Sequence, residues 1–359
     1  MKNTYNQAKL MENIDCIAKY DFDNKKVFGS AYYVYNDGQI LQKCYGNMSL
    51  QGDKPITDTT IFRLASMTKP VTAVAALILV DKGLLSLEDH VDKYLPAFKD
   101  ILIKDVEGNI SKPKTIPTVK DILTHSSGIG SELPKWTKIT QEDQATLEAS
   151  IAFGLENGLD FEPNSKQLYS AFLAFDVLTK IIEIVSGMDY LTFLKKELFD
   201  PCDMPDTTFI LNDEQQQRLV EMHCRENEEN AEYEMPKGCI FEDFPCTHFV
   251  GGAGLASTLR DYAKFAKMLL NKGQGEKGRV LKEETWALLC TPQIPEEIMP
   301  GHTRWGLGVR VIVEDTHPYL PQGAFGWSGA YGSHFWVVPA DNLFAVFMKN
   351  SRVDGGADN

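Results

Sequence analysis

The stretch "FRLASMTKPVTAVAALILV" (62–80) sets Ser66 and Lys69 three residues apart at the start of an apolar run. A serine hydroxyl attacks a carbonyl only when a base takes its proton. A lysine serves as that base only when loss of water brings its pKa to about 7–8. Residues i and i+3 share a helix face, so Lys69 reaches the Ser66 hydroxyl if the run is helical. The start of a helix also supplies free N–H groups and the positive end of the macrodipole. Pro70 fits the first turn, where no intrahelical N–H bond is lost. The same residues suit an N-terminal cap followed by a surface lysine. A second S-x-x-K, Ser111 to Lys114 in "GNISKPKTIP", is broken by proline and precedes no helical run. Taken alone, the stretch leaves nucleophile and cap both open.

The elements that would position this pair follow from periodicity. The first twenty residues carry Leu10, Ile14 and Ile17 at helical spacing and read as an amphipathic helix. "VFGSAYYVYNDGQILQKCYG" is two β-rich runs around Asn36-Asp37-Gly38, a hairpin signal. A short strand, "TTIFRLA", leads into the Ser66 stretch. Helical spacing then dominates to about residue 220, in "TVKDILTH", "QATLEASIAFGL", "YSAFLAFDVLTKIIEIVSG" and "DYLTFLKKELFD", with breakers at Pro134, Pro163 and Gly187. "LASTLRDYAKFAKMLLNKG" reads as one more helix. Strand patterns return in "WGLGVRVIVE", "GAFGWSG", "SHFWVVP" and "NLFAVFMKN". The expected fold is α/β of the α+β type: an antiparallel sheet built from both chain ends, flanked by helices, with a mostly helical inserted lobe. The boundaries are 1–70 with 221–359 for the sheet domain and 71–220 for the helical one, with a site in the crevice between them.

Composition narrows the function classes. The chain has 359 residues, 43% hydrophobic and 24% charged, as in ordinary globular proteins. A net charge of -14 argues against nucleic acid or an anionic membrane surface as partner. The longest apolar stretch, Val71 to Val80, is too short to span a bilayer, and no signal-peptide pattern opens the chain. Seven scattered cysteines read as reduced thiols, and the expected location is cytoplasmic. His223, Cys224, Cys239, Cys246 and His248 lie close in sequence but lack zinc-ligand spacing, so no metal is expected.

Five stretches occur in order: "IFRLASMTKP", "PTVKDILTHSSGIG", "FEPNSKQLYSAFLAFDVLTKIIEIVSG", "VGGAGLASTLRDYAKFAKMLLNKG" and "FGWSGAYGSHFWVVP". Together they resemble the serine β-lactamase and penicillin-binding protein superfamily, in particular the class C β-lactamases and the family VIII carboxylesterases. The resemblance runs from about Phe28 to Lys349. It implies a β-lactamase/transpeptidase-like fold, an acyl-enzyme on Ser66 and Lys69 as its proton-transfer partner. The family's Y-x-N motif corresponds to Tyr169-Ser170-Ala171, making Tyr169 the second member of the proton-transfer pair. Its K-T-G or H-T-G strand corresponds to Trp327-Ser328-Gly329, substrate-binding together with Ala171. The oxyanion hole would be the backbone N–H groups of Ser66 and Ala330. No cofactor is implied, and the partner is a small ester or amide, with the oligomeric state left open.

Two departures bear on substrate. Ala171 stands where the family has an asparagine that bonds the substrate amide and the lysine. Trp327 stands where it has a lysine or histidine that helps hold a substrate carboxylate; an indole offers one N–H and no charge. Both changes favour carboxylic esters over β-lactams. Arg310 or Arg352 remain as sources of a carboxylate contact. Amide-directed peptidase, β-lactamase or transacylase chemistry and a non-catalytic sensor are the alternatives. The family usually ends in a helix on the sheet, whereas this chain stops shortly after its last strand, and the N-terminal helix is available to cover part of that face. "GWSGA" (326–330) approximates a nucleophile elbow, but strand rather than helix is expected after Ser328. His125 in "LTHSSG" is expected to cap or pack, and the glycines of "VGGAG" (250–254) to allow close backbone packing.

Overall fold

A computed structural model describes residues 6–24, 26–49, 51–131, 139–140, 142–223, 248–317 and 320–351. Helix α1 (Gln7–Asp23) starts at Asn6, whose side chain accepts the Lys9 N–H. Strands β1 (Gly29–Asn36) and β2 (Gln39–Gly46) follow, joined through Asp37 and Gly38 with φ of 48° and 89°. Positive φ at both positions gives the type I′ geometry that matches strand twist, as the Asp-Gly pair predicted.

Strand β3 (Ile61–Arg63) leads into a 3₁₀ turn, Ala65–Met67, and then helix α2 (Thr68–Asp81). Residues Thr68 through Leu79 of α2 are all buried, as befits a helix that is apolar on every side from Ala73 to Val80. The short strands β4 (Ile103–Lys104) and β5 (Ile110–Ser111) pair with each other, a ladder the sequence did not announce; Ser111 lies exposed on it. Helix α3 (Val119–Leu123) is closed at its start by a capping box between Thr118 and Asp121. Helices α4 (Leu147–Asn157), α5 (Leu173–Ser186) and α6 (Tyr190–Leu194) continue the helical stretch, with α2 packed on α5.

Strand β6 (Ala256–Thr258) pairs antiparallel with β3, Ile61 opposite Thr258. The sequence reading had made residues 255–273 one helix. Instead the helix, α7 (Leu259–Leu270), begins only after Thr258, whose hydroxyl caps it by accepting the Asp261 N–H. Pairing with β3 keeps Ala256–Thr258 extended. A helix not foreseen, α8 (Glu283–Leu289), packs on α2. The α5 reading also needs correction: "YSAF" (169–172) is not helical and α5 starts at Leu173. The Leu168 and Ser170 N–H groups bond His125 instead of entering a helix.

The last strands are β7 (Thr303–Trp305), β8 (Arg310–Ile312), β9 (Phe325–Ser328), β10 (His334–Val338) and β11 (Leu343–Met348). They join the first two in a seven-stranded sheet of order β2-β1-β11-β10-β9-β8-β7, antiparallel throughout. The two chain ends meet where Ala31 faces Met348. Side chains alternate between faces with the strand period of two. Phe335 meets Tyr262 and Phe265 of α7 on one face, while Tyr32 and Phe347 meet α1 on the other. The expectation about the C-terminus falls on residues 352–359, outside the described residues. No helix among the described residues is long and apolar enough to cross a membrane.

The inward stripe of α1 differs from the one expected. Ile14 is 5% exposed and packs with Ala18 on Tyr32 and Leu41, whereas Ile17 is 52% exposed. The i, i+4 row faces the sheet, and the i+3 position rotates off it. Ile14→Ala should therefore cost about 2–5 kcal/mol and Ile17→Ala under about 0.5 kcal/mol. Urea denaturation midpoints of the two variants check this; equal losses would mean that both side chains are buried.

Candidate active site

Ser66 lies on the 3₁₀ turn just ahead of α2 and is partly exposed. The residue before it, Ala65, holds φ at 45°, left-handed for a non-glycine. Such a conformation costs about 1–3 kcal/mol and persists only where neighbours enforce it. Here the enforcing neighbour is the end of β9. A Cβ on Gly329 would lie 2.3 Å from the Leu64 carbonyl oxygen, so only glycine lets that backbone close on the serine turn.

Lys69, on the first turn of α2, is fully buried. Its Nζ lies 3.3 Å from Ser66 Oγ, 2.6 Å from the Ala171 carbonyl oxygen and 2.9 Å from the Gly252 carbonyl oxygen. The rings of Tyr169 and Phe175 lie 4.8 and 5.3 Å away. Burial brings the ammonium down to about 7, with the Asp176 carboxylate pulling the other way. A neutral amine has two N–H groups and one lone pair. With both N–H groups given to the carbonyls, the lone pair is left to face Ser66 Oγ.

Tyr169 sits on the irregular segment before α5. Its phenol hydrogen-bonds Ser66 and accepts the Trp327 Nε1–H at 3.4 Å. Burial pushes the phenol up to about 12 even though both hydrogen bonds oppose this, so it stays protonated at neutral pH. The site thus pairs an amine that is easily deprotonated with a phenol that is not.

The remaining sequence-derived positions fall around this pair. Trp327 on β9 is buried against Trp305, centroids 4.6 Å apart, and against Tyr169 at 5.3 Å. Ala171 contributes its carbonyl to Lys69. Ser328 closes β9, paired with His334, and a turn and strand follow rather than the helix an elbow needs. In that turn Gly329 donates to the Ser333 carbonyl. Ala330, next in the chain, is exposed, and among the described residues its N–H meets no backbone carbonyl. Arg310 lies over the Trp305 and Trp327 rings at 5.4 and 5.8 Å; Arg352 lies outside the described residues.

Sequence reasoning missed three contributors. The Gly252 carbonyl bonds Lys69, and a Cβ there would stand 2.8 Å from the Ala171 oxygen and 3.3 Å from Nζ. The glycines of "VGGAG" do serve close packing: Gly252 packs on the lysine, Gly251 on Thr179 and the Phe175 carbonyl, and Gly254 on Phe209. Trp305 was read only as part of a strand, and Asp176 only as part of a helix. A run of glycines downstream of an S-x-x-K was the available signal for the first; nothing marked the other two. Of the five histidines and cysteines that lie close in sequence without zinc-ligand spacing, Cys224, Cys239 and Cys246 lie outside the described residues. Among the described residues no group of three or more His, Cys, Asp or Glu could hold a metal ion. His223 stacks on Phe28 with centroids 5.1 Å apart, and His248 contacts the Gln144 carbonyl.

Comparison with known proteins agrees with this architecture. Esterase EstB of Burkholderia gladioli is 26% identical over 382 residues, covering 97% of this chain and 92% of the relative. The structure of EstCE1, a hydrolase with promiscuous acyltransferase activity, superposes with a TM-score of 0.82 at 22% identity, over 97% of this chain and 95% of the other. Simvastatin synthase LovD of Aspergillus terreus superposes at 0.79 with 20% identity, over 97% and 94%. A family model described as Beta-lactamase matches residues 10–359, nearly the whole length, and the chain belongs to that family.

Proposed function

We propose that Ser66 is the nucleophile of this serine hydrolase and that its substrates are carboxylic esters. The observation that carries the reading is the placement of Lys69 Nζ: buried, bonded to two carbonyls and within 3.3 Å of Ser66 Oγ. Neutral Lys69 takes the Ser66 proton as the oxygen attacks the ester carbonyl. The Ser66 and Ala330 N–H groups receive the oxyanion; one such donor is worth about 10²–10³ in rate. The Tyr169 phenol, hydrogen-bonded to Ser66, delivers a proton to the departing alkoxide and regains one from Lys69. The acyl-enzyme is then hydrolysed by a water that gives its proton through Tyr169 to Lys69, which returns it to Ser66 Oγ as the bond from that oxygen to the acyl carbon breaks and the acid leaves. On this reading the site occupies a crevice between the sheet domain (1–70 and 221–359) and the helical domain (71–220).

The ester preference rests on the wall opposite the serine. Trp327, with the fully buried Trp305 packed against it, stands where the family offers a cation, and Ala171 offers no side-chain amide. A neutral ester with an apolar acyl group loses little water on entering such a wall. An anionic β-lactam or a peptide ending in a carboxylate would meet no lysine on that strand, and the Arg310 guanidinium beside the wall already lies over the Trp305 and Trp327 rings.

Hydrolysis of a short-chain chromogenic ester, beside a chromogenic cephalosporin, tests the proposal. Ser66→Ala should abolish ester turnover. Lys69→Ala and Tyr169→Phe should each lose about 10²–10⁴ in kcat/KM, the usual worth of general acid–base catalysis. Ser111→Ala should match wild type. Cephalosporin turnover as fast as ester turnover would overturn the substrate class, and a Ser328→Ala variant as inactive as Ser66→Ala would overturn the nucleophile. No turnover of either compound would leave an amide-directed enzyme or a non-catalytic sensor.

The pH profile gives an independent check. Lys69 works only without its extra proton, so kcat/KM should fall below pH about 7 by about tenfold per unit. The high phenol value predicts no matching fall on the alkaline side up to at least pH 9. A profile flat from pH 8 to 5 would remove Lys69 from the role of base.

A further inference from the structure

His125, on the turn after α3, takes part in none of these steps, yet it grips the segment that carries Tyr169 from both sides. Its carbonyl accepts the Leu168 N–H at 3.0 Å and its Nδ1 accepts the Ser170 N–H at 3.1 Å. Between those two bonds the Tyr169 ring packs on the imidazole, centroids 4.5 Å apart. We propose that His125 is a positioning residue for Tyr169, its Nδ1 and carbonyl clasping the backbone on either side of the tyrosine so that the phenol is aimed at Ser66. The inference rests on the role given to Tyr169 above.

The segment needs such a clasp because it has no helix or strand of its own between residues 160 and 172. It is held instead by the turn after α3. Asp160 donates to the Gly128 carbonyl at 2.7 Å, Asn164 to the Ser126 carbonyl at 2.9 Å and Leu168 to that of His125. The bond from Ser170 is the last in this series and the first beyond the tyrosine.

The chemistry of the imidazole fits the task. Nδ1 accepts a backbone N–H only when it carries no proton, which places the ring's single proton on Nε2. Nε2 is buried and, among the described residues, finds no hydrogen-bond partner. Burial, with Lys69 and Arg310 nearby, holds the ring well below its ordinary value, so the neutral form persists at working pH. Trp305 at 4.3 Å and Phe175 at 5.5 Å enclose the ring. Two features here work against stability: a φ of 57° at a non-glycine residue and an unpartnered buried N–H. An acceptor aimed at the Ser170 N–H, on a flat ring against Tyr169, is what this histidine provides in exchange.

The test compares His125→Asn with His125→Leu, side chains of nearly the same shape, of which only asparagine keeps an acceptor where Nδ1 stood. The readout is kcat and KM on the chromogenic ester, in wild-type and Tyr169→Phe backgrounds, with thermal melts of each protein. His125→Leu should lose about 10²-fold in kcat, the scale of a small misplacement of a catalytic group, with KM within about threefold. His125→Asn should stay within about tenfold of wild type, and in the Tyr169→Phe background His125→Leu should cost less than about threefold more. If the leucine variant fails to fold, His125→Ala against His125→Asn carries the same comparison. Equal kcat for Asn and Leu, or a full additional loss on top of Tyr169→Phe, would overturn the clasp. A fully active Tyr169→Phe would instead overturn the role of Tyr169, and the clasp with it.

Discussion

The site depends on one buried amine. Taking an ammonium out of water costs several kcal/mol unless it is paired or neutralised. Lys69 meets that cost with two main-chain carbonyls and with a shift that lets it lose its proton near pH 7. The carbonyls come from distant parts of the chain, one before α5 and one before β6, so the helical stretch and the approach to the sheet must both be in place around α2. Gly252 is the point where they close, because a Cβ there would collide with the Ala171 oxygen. The amine is therefore the group with the most to lose from misfolding and, on the proposed mechanism, the one that takes the serine proton.

A second constraint sits on the other side of the serine. The left-handed Ala65 stays in its unfavourable region because the end of β9 is pressed against Leu64, with Gly329 making room. That contact brings the turn carrying Ala330 to the serine and sets Trp327 against Tyr169. Strands from both ends of the chain are needed to hold β9 where it is, since β10 and β11 separate it from β1. The large sheet acts as the frame that keeps a strained turn strained.

Much of this was legible in the sequence because it follows from periodicity. The Asp37-Gly38 hairpin, the sheet drawn from both ends, the apolar run of α2 and the three-residue spacing that brings Lys69 to Ser66 all come from spacing and turn chemistry. What was not legible lies in the main chain. Ala171 was read as the loss of a polar side chain, yet its carbonyl makes the shortest of the Lys69 contacts at 2.6 Å. Any residue carries a carbonyl, so sequence does not mark which ones will serve. Residues 169–172 continue the apolar rhythm of α5 and were read into it; bonds to His125, remote in the chain, draw them out. β6 was missed for a similar reason: a three-residue strand has too little pattern of its own, and its partner β3 lies far away in sequence.

The aromatic wall ties substrate choice to the amine. In the related motif a lysine or histidine occupies the position of Trp327, and a cation there would help depress the charge on a neighbouring lysine. Here no such cation stands on that strand position, and the Asp176 carboxylate works in the opposite direction. Removal of water must then supply the whole shift. The rings of Tyr169 and Phe175 over the amine, with Trp305 stacked on Tyr169 and Trp327 tilted against both, are suited to that because they fill the space with apolar surface and leave one N–H for the phenol. A wall that dries the lysine also disfavours a charged substrate beside it. On the proposed mechanism, the replacement of a cation by an indole has two effects with one cause: it makes burial responsible for activating the base, and it turns the cleft toward neutral acyl groups.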